Sequence, residues 1–103
     1  MAKILLGLGS NIGHKEKNIK EAISLIEKEV GRPIQLSSFY QSKSWGYQSE
    51  NLFINAALLL HTSLLPNKLL ETIREIEINL GRKKQATKGY EDRLIDIDIL
   101  FYD

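Results

Sequence analysis

The segment NLFINAALLLHT, residues 51–62, alternates without a break, with Leu52, Ile54, Ala56, Leu58 and Leu60 on one face and Phe53, Asn55, Ala57, Leu59 and His61 on the other. Period-two alternation over such a length describes a strand with two different faces. A strand this long needs neighbours to pair with and a cover on one side, so the other elements have to be arranged around it.

Those elements can be read from changes of period. Lys3 to Leu8 is an apolar run that stops at Gly9-Ser10-Asn11, a buried strand leading into a turn. From about His14 to Val30 the apolar residues Ile19, Ala22, Ile23, Ile26 and Val30 mark one helical face, closed by Gly31 and Pro33. Ile34 to about Ser42 has the Ile, Phe and Tyr content of a strand, and SKSWGYQSEN after it has the composition of a loop. Pro66 suits a first helical turn, and Leu69, Leu70, Ile73, Ile76 and Leu80 continue an apolar stripe to Gly81. The polar, basic RKKQATKGYEDR reads as a loop, and Leu94 to Tyr102 as the last strand.

The order is therefore β-α-β-β-α-β, the split βαβ or ferredoxin-like arrangement of the α+β class, with two helices on one face of an antiparallel sheet. A length of 103 residues with 43% hydrophobic content suits one core. A single domain over 1–103 is expected, without an internal linker.

The last strand carries an anomaly. In DRLIDIDILFYD, Ile95, Ile97, Ile99 and Phe101 would face the helices, which leaves Asp96 and Asp98 together on the opposite face. Residues i and i+2 of a strand lie about 6.5 to 7 Å apart, so the two carboxylates can converge on one hard cation. Magnesium fits, since it binds through one or two carboxylates plus substrate phosphates. A charged strand face that guards against edge pairing is the competing account. Arg82, Lys83, Lys84, Lys88 and Arg93 lie just before the pair, and together with it they suggest a polyphosphate cradle.

Other features are less specific. GLGSNIG spaces its glycines as GxGxxxG, so the dinucleotide fingerprint fails, and no Walker A sequence is present; a strand-to-helix turn is the expectation. Phe53 beside Asn55 could hold a flat heterocycle, or could be a core ring and a hydrogen-bonded structural amide. Trp45 and Tyr47 flank Gly46 and suit either a lid or a cap on the core. His14 and His61 show no partner pattern and read as structural or exposed.

A formal net charge of +1 suggests neither a nucleic-acid nor a membrane partner. No cysteine means no disulfide and no thiolate metal site, in keeping with a reducing compartment. With no signal-like or membrane-spanning run, a soluble, cytoplasmic protein is expected.

Through GSN at Gly9 to Asn11, SSFYQS at Ser37 to Ser42, FINAA at Phe53 to Ala57, IEINLGR at Ile76 to Arg82 and RLIDIDIL at Arg93 to Leu100, the chain resembles the 6-hydroxymethyl-7,8-dihydropterin pyrophosphokinases of folate biosynthesis. The resemblance implies transfer of the β,γ-pyrophosphoryl group of ATP to the pterin hydroxymethyl oxygen, with release of AMP. It implies that Asp96 and Asp98 hold two magnesium ions, with Arg82 and Arg93 also in the catalytic set. Ser42, Trp45, Gly46, Phe53 and Asn55 would form the pterin pocket. Arg74, Glu77, Lys84, Lys88, Arg93 and Ile99 would serve ATP. A monomer is expected, with self-association through an uncovered sheet face the other arrangement considered.

The chain also departs from the family pattern. Glu91-Asp92 precedes the motif's Arg in place of a small pair, Arg74 stands where Gln is common, and Lys84 and Lys88 stand where Arg is common. Family members continue past the D-x-D strand, so the 103 residues correspond to the N-terminal two-thirds of such a domain. The alternatives are a ferredoxin-like RNA-binding module, which would lack the paired aromatic motif of an RRM, and a non-catalytic ligand-binding module.

Overall fold

The computed structural model describes residues 1–43, 52–81 and 94–103. Its elements are β1 (Ala2–Ser10), α1 (Lys15–Glu29), β2 (Gly31–Leu36), β3 (Tyr40–Ser42), β4 (Phe53–Thr62), α2 (Pro66–Asn79) and β5 (Asp96–Tyr102). The sheet runs β2-β4-β1-β5, with β3 also paired to β4.

β4 is antiparallel to both β1 and β2, so β1, α1 and β2 form a βαβ unit whose strands are split by β4. β1 in turn separates β4 from β5, to which it is antiparallel. This is the expected ferredoxin-like topology, with the long alternating strand in its interior.

One face of the sheet carries the core. Ile4, Leu6 and Leu8 of β1 and Ala56, Leu58 and Leu60 of β4 meet Ile19, Ala22 and Ile26 of α1 and Leu69, Ile73 and Ile76 of α2, all buried. Each Leu or Ile removed from water here contributes about 1.5–3 kcal/mol. α1 starts without a side-chain cap at His14; instead Asn18 Nδ2 donates to Ser10 Oγ and Ile12 O, both at 3.1 Å, tying the helix to the end of β1. α2 begins on Pro66 and stops at Gly81, whose φ of +105° suits a residue without Cβ.

Three sequence expectations are modified. β1 continues through Gly9 to Ser10 rather than turning at Gly9, because β4 pairs with it along that whole length. The strand expected from Ile34 to Ser42 is two, β2 and β3. Ser37 sits between them, donating its N–H to Ala57 O at 2.9 Å and accepting from Ala57 N–H through Oγ at 2.8 Å, so a hydroxyl stands in for a ladder carbonyl. Finally, Phe101 does not face the helices.

The last correction has a clear cause. Leu5 pairs with Phe101 but Leu6 pairs with Ile99, leaving Leu100 as an extra residue in β5. Such a bulge reverses the alternation beyond it. Ile95 and Ile97 are buried as expected and Ile99 packs against the core, but Phe101 is 54% exposed on the uncovered face. Tyr102 turns to the helix side, where its hydroxyl donates to Leu64 O at 2.7 Å. Among the described residues, no helix is long and apolar enough to cross a membrane.

Candidate active site

The face of the sheet away from the helices is ordered by strand register. Tyr40, Asn55, Gly9 and Asp96 form one row across β3, β4, β1 and β5. Ala57, Gly7 and Asp98 form the next, and Phe53 pairs with Ser42 on the other side. Four sequence-predicted residues, Phe53, Asn55, Asp96 and Asp98, therefore share this face, and Ser42 reaches it from β3.

Asn55 is fixed by its neighbours. Its Nδ2 donates to Ser42 Oγ at 2.8 Å and to Tyr40 O at 3.3 Å. That arrangement makes β3, only three residues long, the brace of the amide. A Cβ on Gly9 would stand 3.2 Å from Asn55 Oδ1 and 3.3 Å from Phe53 Cδ1. The glycine is a recess into which the amide oxygen and the aromatic ring lean from β4, toward the row's far end at Asp96.

Gly7 does the same for β5, since its Cβ would stand 3.2 Å from Leu100 Cδ1. The bulge thus aims Leu100 over β1 beside Asp98, and bulges commonly re-aim a side chain in this way. Neither glycine nor Leu100 emerged from the sequence as a site residue. The available signal was a Gly at i and i+2 within a strand, which marks a face where something approaches closely; reading GLGSNIG as a turn obscured it.

Asp96 is half-buried and Asp98 exposed. Among the described residues no group of three His, Cys, Asp or Glu side chains converges, and a cation held by two carboxylates leaves positions for water and phosphate oxygens. Magnesium prefers that division, with few protein carboxylates and the rest from substrate, and the donor set fits it.

Glu77 has a second task. It is only 3% exposed, and its Oε2 accepts the backbone N–H of Ile97, between the two aspartates, at 2.9 Å. Among the described residues β5 pairs only with β1, and this bond moors its other side to α2. Glu77→Ala is expected to cost about 1 to 2 kcal/mol in chemical denaturation, the price of leaving that N–H without its partner. Arg74 is exposed on α2, one turn before Glu77, and Ile99 is half-buried on β5 and packs against the core, so none of the three shares the open face with the aspartates. Trp45, Gly46, Arg82, Lys83, Lys84, Lys88 and Arg93 lie outside the described residues.

Comparison with known proteins bears on this arrangement. The family model described as 7,8-dihydro-6-hydroxymethylpterin-pyrophosphokinase matches residues 5–103. The chain is 40% identical over 103 residues to the 2-amino-4-hydroxy-6-hydroxymethyldihydropteridine pyrophosphokinase of Porphyromonas gingivalis, covering 99% of this chain and 70% of that one. It is 43% identical over 102 residues to the Aquifex aeolicus protein of the same name, covering 99% of this chain and 62% of the relative. Thus it spans roughly two-thirds of the length of these relatives. The crystal structure of Plasmodium falciparum HPPK-DHPS wild type superposes with a TM-score of 0.74 over 98% of this chain and 29% of that one, at 18% identity. At that identity the likeness speaks for the fold.

Proposed function

Because the chain belongs to the 7,8-dihydro-6-hydroxymethylpterin-pyrophosphokinase family, we propose that it transfers the β,γ-pyrophosphoryl group of ATP to the hydroxymethyl oxygen of 6-hydroxymethyl-7,8-dihydropterin, releasing AMP, in folate biosynthesis. The observation that carries this reading is the row Asn55–Gly9–Asp96, which sets an amide and an aromatic ring on the same sheet face as a carboxylate pair. Asn55 and Asp96 are two strand spacings apart, about 9 to 10 Å, a span that a bicyclic heterocycle with a one-carbon arm can bridge.

In this reading Phe53 supports one face of the pterin. Asn55, whose Nδ2 is held by Ser42 and Tyr40, presents Oδ1 as an acceptor to the ring's N–H edge. Asp96 and Asp98 would hold two magnesium ions, which when bound supply charge neutralisation along the triphosphate. Arg82, Lys84, Lys88 and Arg93 would meet phosphate oxygens, the lysines as point charges rather than forks. Trp45 and Gly46 would complete the pterin pocket, and Arg74, Glu77 and Ile99 would lie toward the nucleoside. Positioning and electrostatics are the main contributions a protein makes to such a transfer.

The test is direct. With MgATP and the hydroxymethyl-dihydropterin, chromatography should show AMP and the pterin diphosphate appearing together and in equal amounts. ATP breakdown independent of the pterin, or no binding of either substrate by calorimetry, would overturn the proposal.

A further inference from the structure

The aspartates stand on a strand that is fixed just ahead of them. Leu94 lies in the bend before β5 and sets each of its two methyl groups against a glycine. A Cβ on Gly81, where α2 ends, would stand 2.8 Å from Leu94 Cδ1, and a Cβ on Gly13, in the turn between β1 and α1, would stand 3.4 Å from Leu94 Cδ2. Both glycines have positive φ, +105° and +70°, a backbone conformation that other residues seldom adopt. Two separate turns thus leave room for one side chain.

Those turns are themselves held. Asn18 Nδ2 donates to Ser10 Oγ and Ile12 O on the Gly13 side, and Gly81 N–H donates to Ile78 O at 3.0 Å. Leu94 is followed by Ile95, buried in the core, and then by Asp96. Since Glu77 holds the N–H of Ile97, Asp96 is bracketed on both sides, whereas Asp98 lies between that bond and the bulge at Leu100. Gly81 and Leu94 also border residues 82–93, so their contact brings together the two ends of the basic segment.

We propose that Leu94 is a positioning residue for the carboxylate pair: wedged between Gly13 and Gly81, it fixes the backbone from which Asp96 reaches the metal. The inference rests on the pyrophosphokinase reading, which gives the pair its magnesium. Magnesium demands near-ideal octahedral geometry, so the packing that locks its ligands in place counts. Loss of an outer partner that orients a ligand costs about 10- to 100-fold in metal affinity. Leu94→Ala removes both methyl contacts without altering a ligand.

Calorimetry of ATP binding with and without Mg²⁺ provides the test. Leu94→Ala should weaken the Mg²⁺-dependent affinity about tenfold while leaving unchanged the ATP affinity without Mg²⁺ and the pterin affinity at Phe53 and Asn55. Leu94→Met, which keeps the volume, should recover most of the loss. Gly81→Ala should also weaken Mg²⁺-dependent binding, by pressing on Leu94 Cδ1, but should add little in the Leu94→Ala background, where its methyl has nothing to displace. A Mg²⁺-dependent affinity unchanged in Leu94→Ala, additive losses in the double variant, or ATP and pterin affinities falling together with the thermal midpoint would overturn the proposal. Failure of the pyrophosphokinase reading has a different signature: Mg²⁺-dependent ATP binding by the unsubstituted protein with no AMP released on adding the pterin, an outcome in which the Leu94 comparison still decides the positioning role. Absence of any Mg²⁺ effect in the unsubstituted protein would overturn both.

Discussion

Asp96→Asn and Asp98→Asn are each expected to weaken magnesium-dependent ATP binding by about a hundredfold or more, without loss of the fold. Loss of a metal's second-shell partner alone costs about 10- to 100-fold, and a direct ligand should matter at least as much. Asn keeps a similar shape and one oxygen but removes the charge that a hard cation needs. The fold should tolerate either change, because the strand is held by its ladder to β1 and by the Glu77 bond at Ile97. Calorimetry with and without Mg²⁺ gives the first quantity and thermal unfolding the second. Affinity for MgATP equal to the unsubstituted protein's in both variants would remove the aspartates from the metal site.

Gly9→Val is expected to reduce pterin binding about a hundredfold while lowering stability by only about 1–3 kcal/mol. A Cβ at this position already stands 3.2 Å from Asn55 Oδ1 and 3.3 Å from Phe53 Cδ1, and the two methyl groups of valine press on both. The local overpacking accounts for the stability loss. The larger binding loss follows because the valine methyl groups fill the recess beside Asn55 Oδ1 and the Phe53 ring, where the pterin would lie. Asn55 cannot yield easily, since its Nδ2 is anchored on Ser42 and Tyr40. Pterin fluorescence titration beside chemical denaturation separates the two effects; binding that weakens only in step with stability would leave Gly9 a merely structural role.

These two sites differ in how far the sequence discloses them. The aspartates are legible because alternation assigns their face from their own strand, needing no knowledge of neighbours. Phe53 and Asn55 are assigned in the same way within β4. What alternation cannot show is which residues become opposite one another, and the Asn55–Gly9–Asp96 row exists only through the registers of β4 with β1 and of β1 with β5. Glu77 illustrates a different gap. Its spacing, four residues after Ile73 and three before Leu80, puts it on the buried stripe of α2, but that spacing does not name the amide of β5 it meets, since that depends on where α2 settles beside β5. Phe101 departs from the face that alternation gives it because an extra residue leaves no trace in composition; only the pairing with Leu5 and Ile4 discloses it.

That extra residue has a consequence for how the strand can change over time. Upstream of Leu100, substitutions must respect the phase that keeps Ile97 inward and the aspartates outward; downstream, they must respect the opposite phase, which keeps Tyr102 on Leu64. The bulge works as a phase joint, uncoupling two stretches that a regular strand would lock together. The acidic end can stay fixed by its chemistry while the end near Phe101 explores other surfaces, and variation on one side need not propagate to the other.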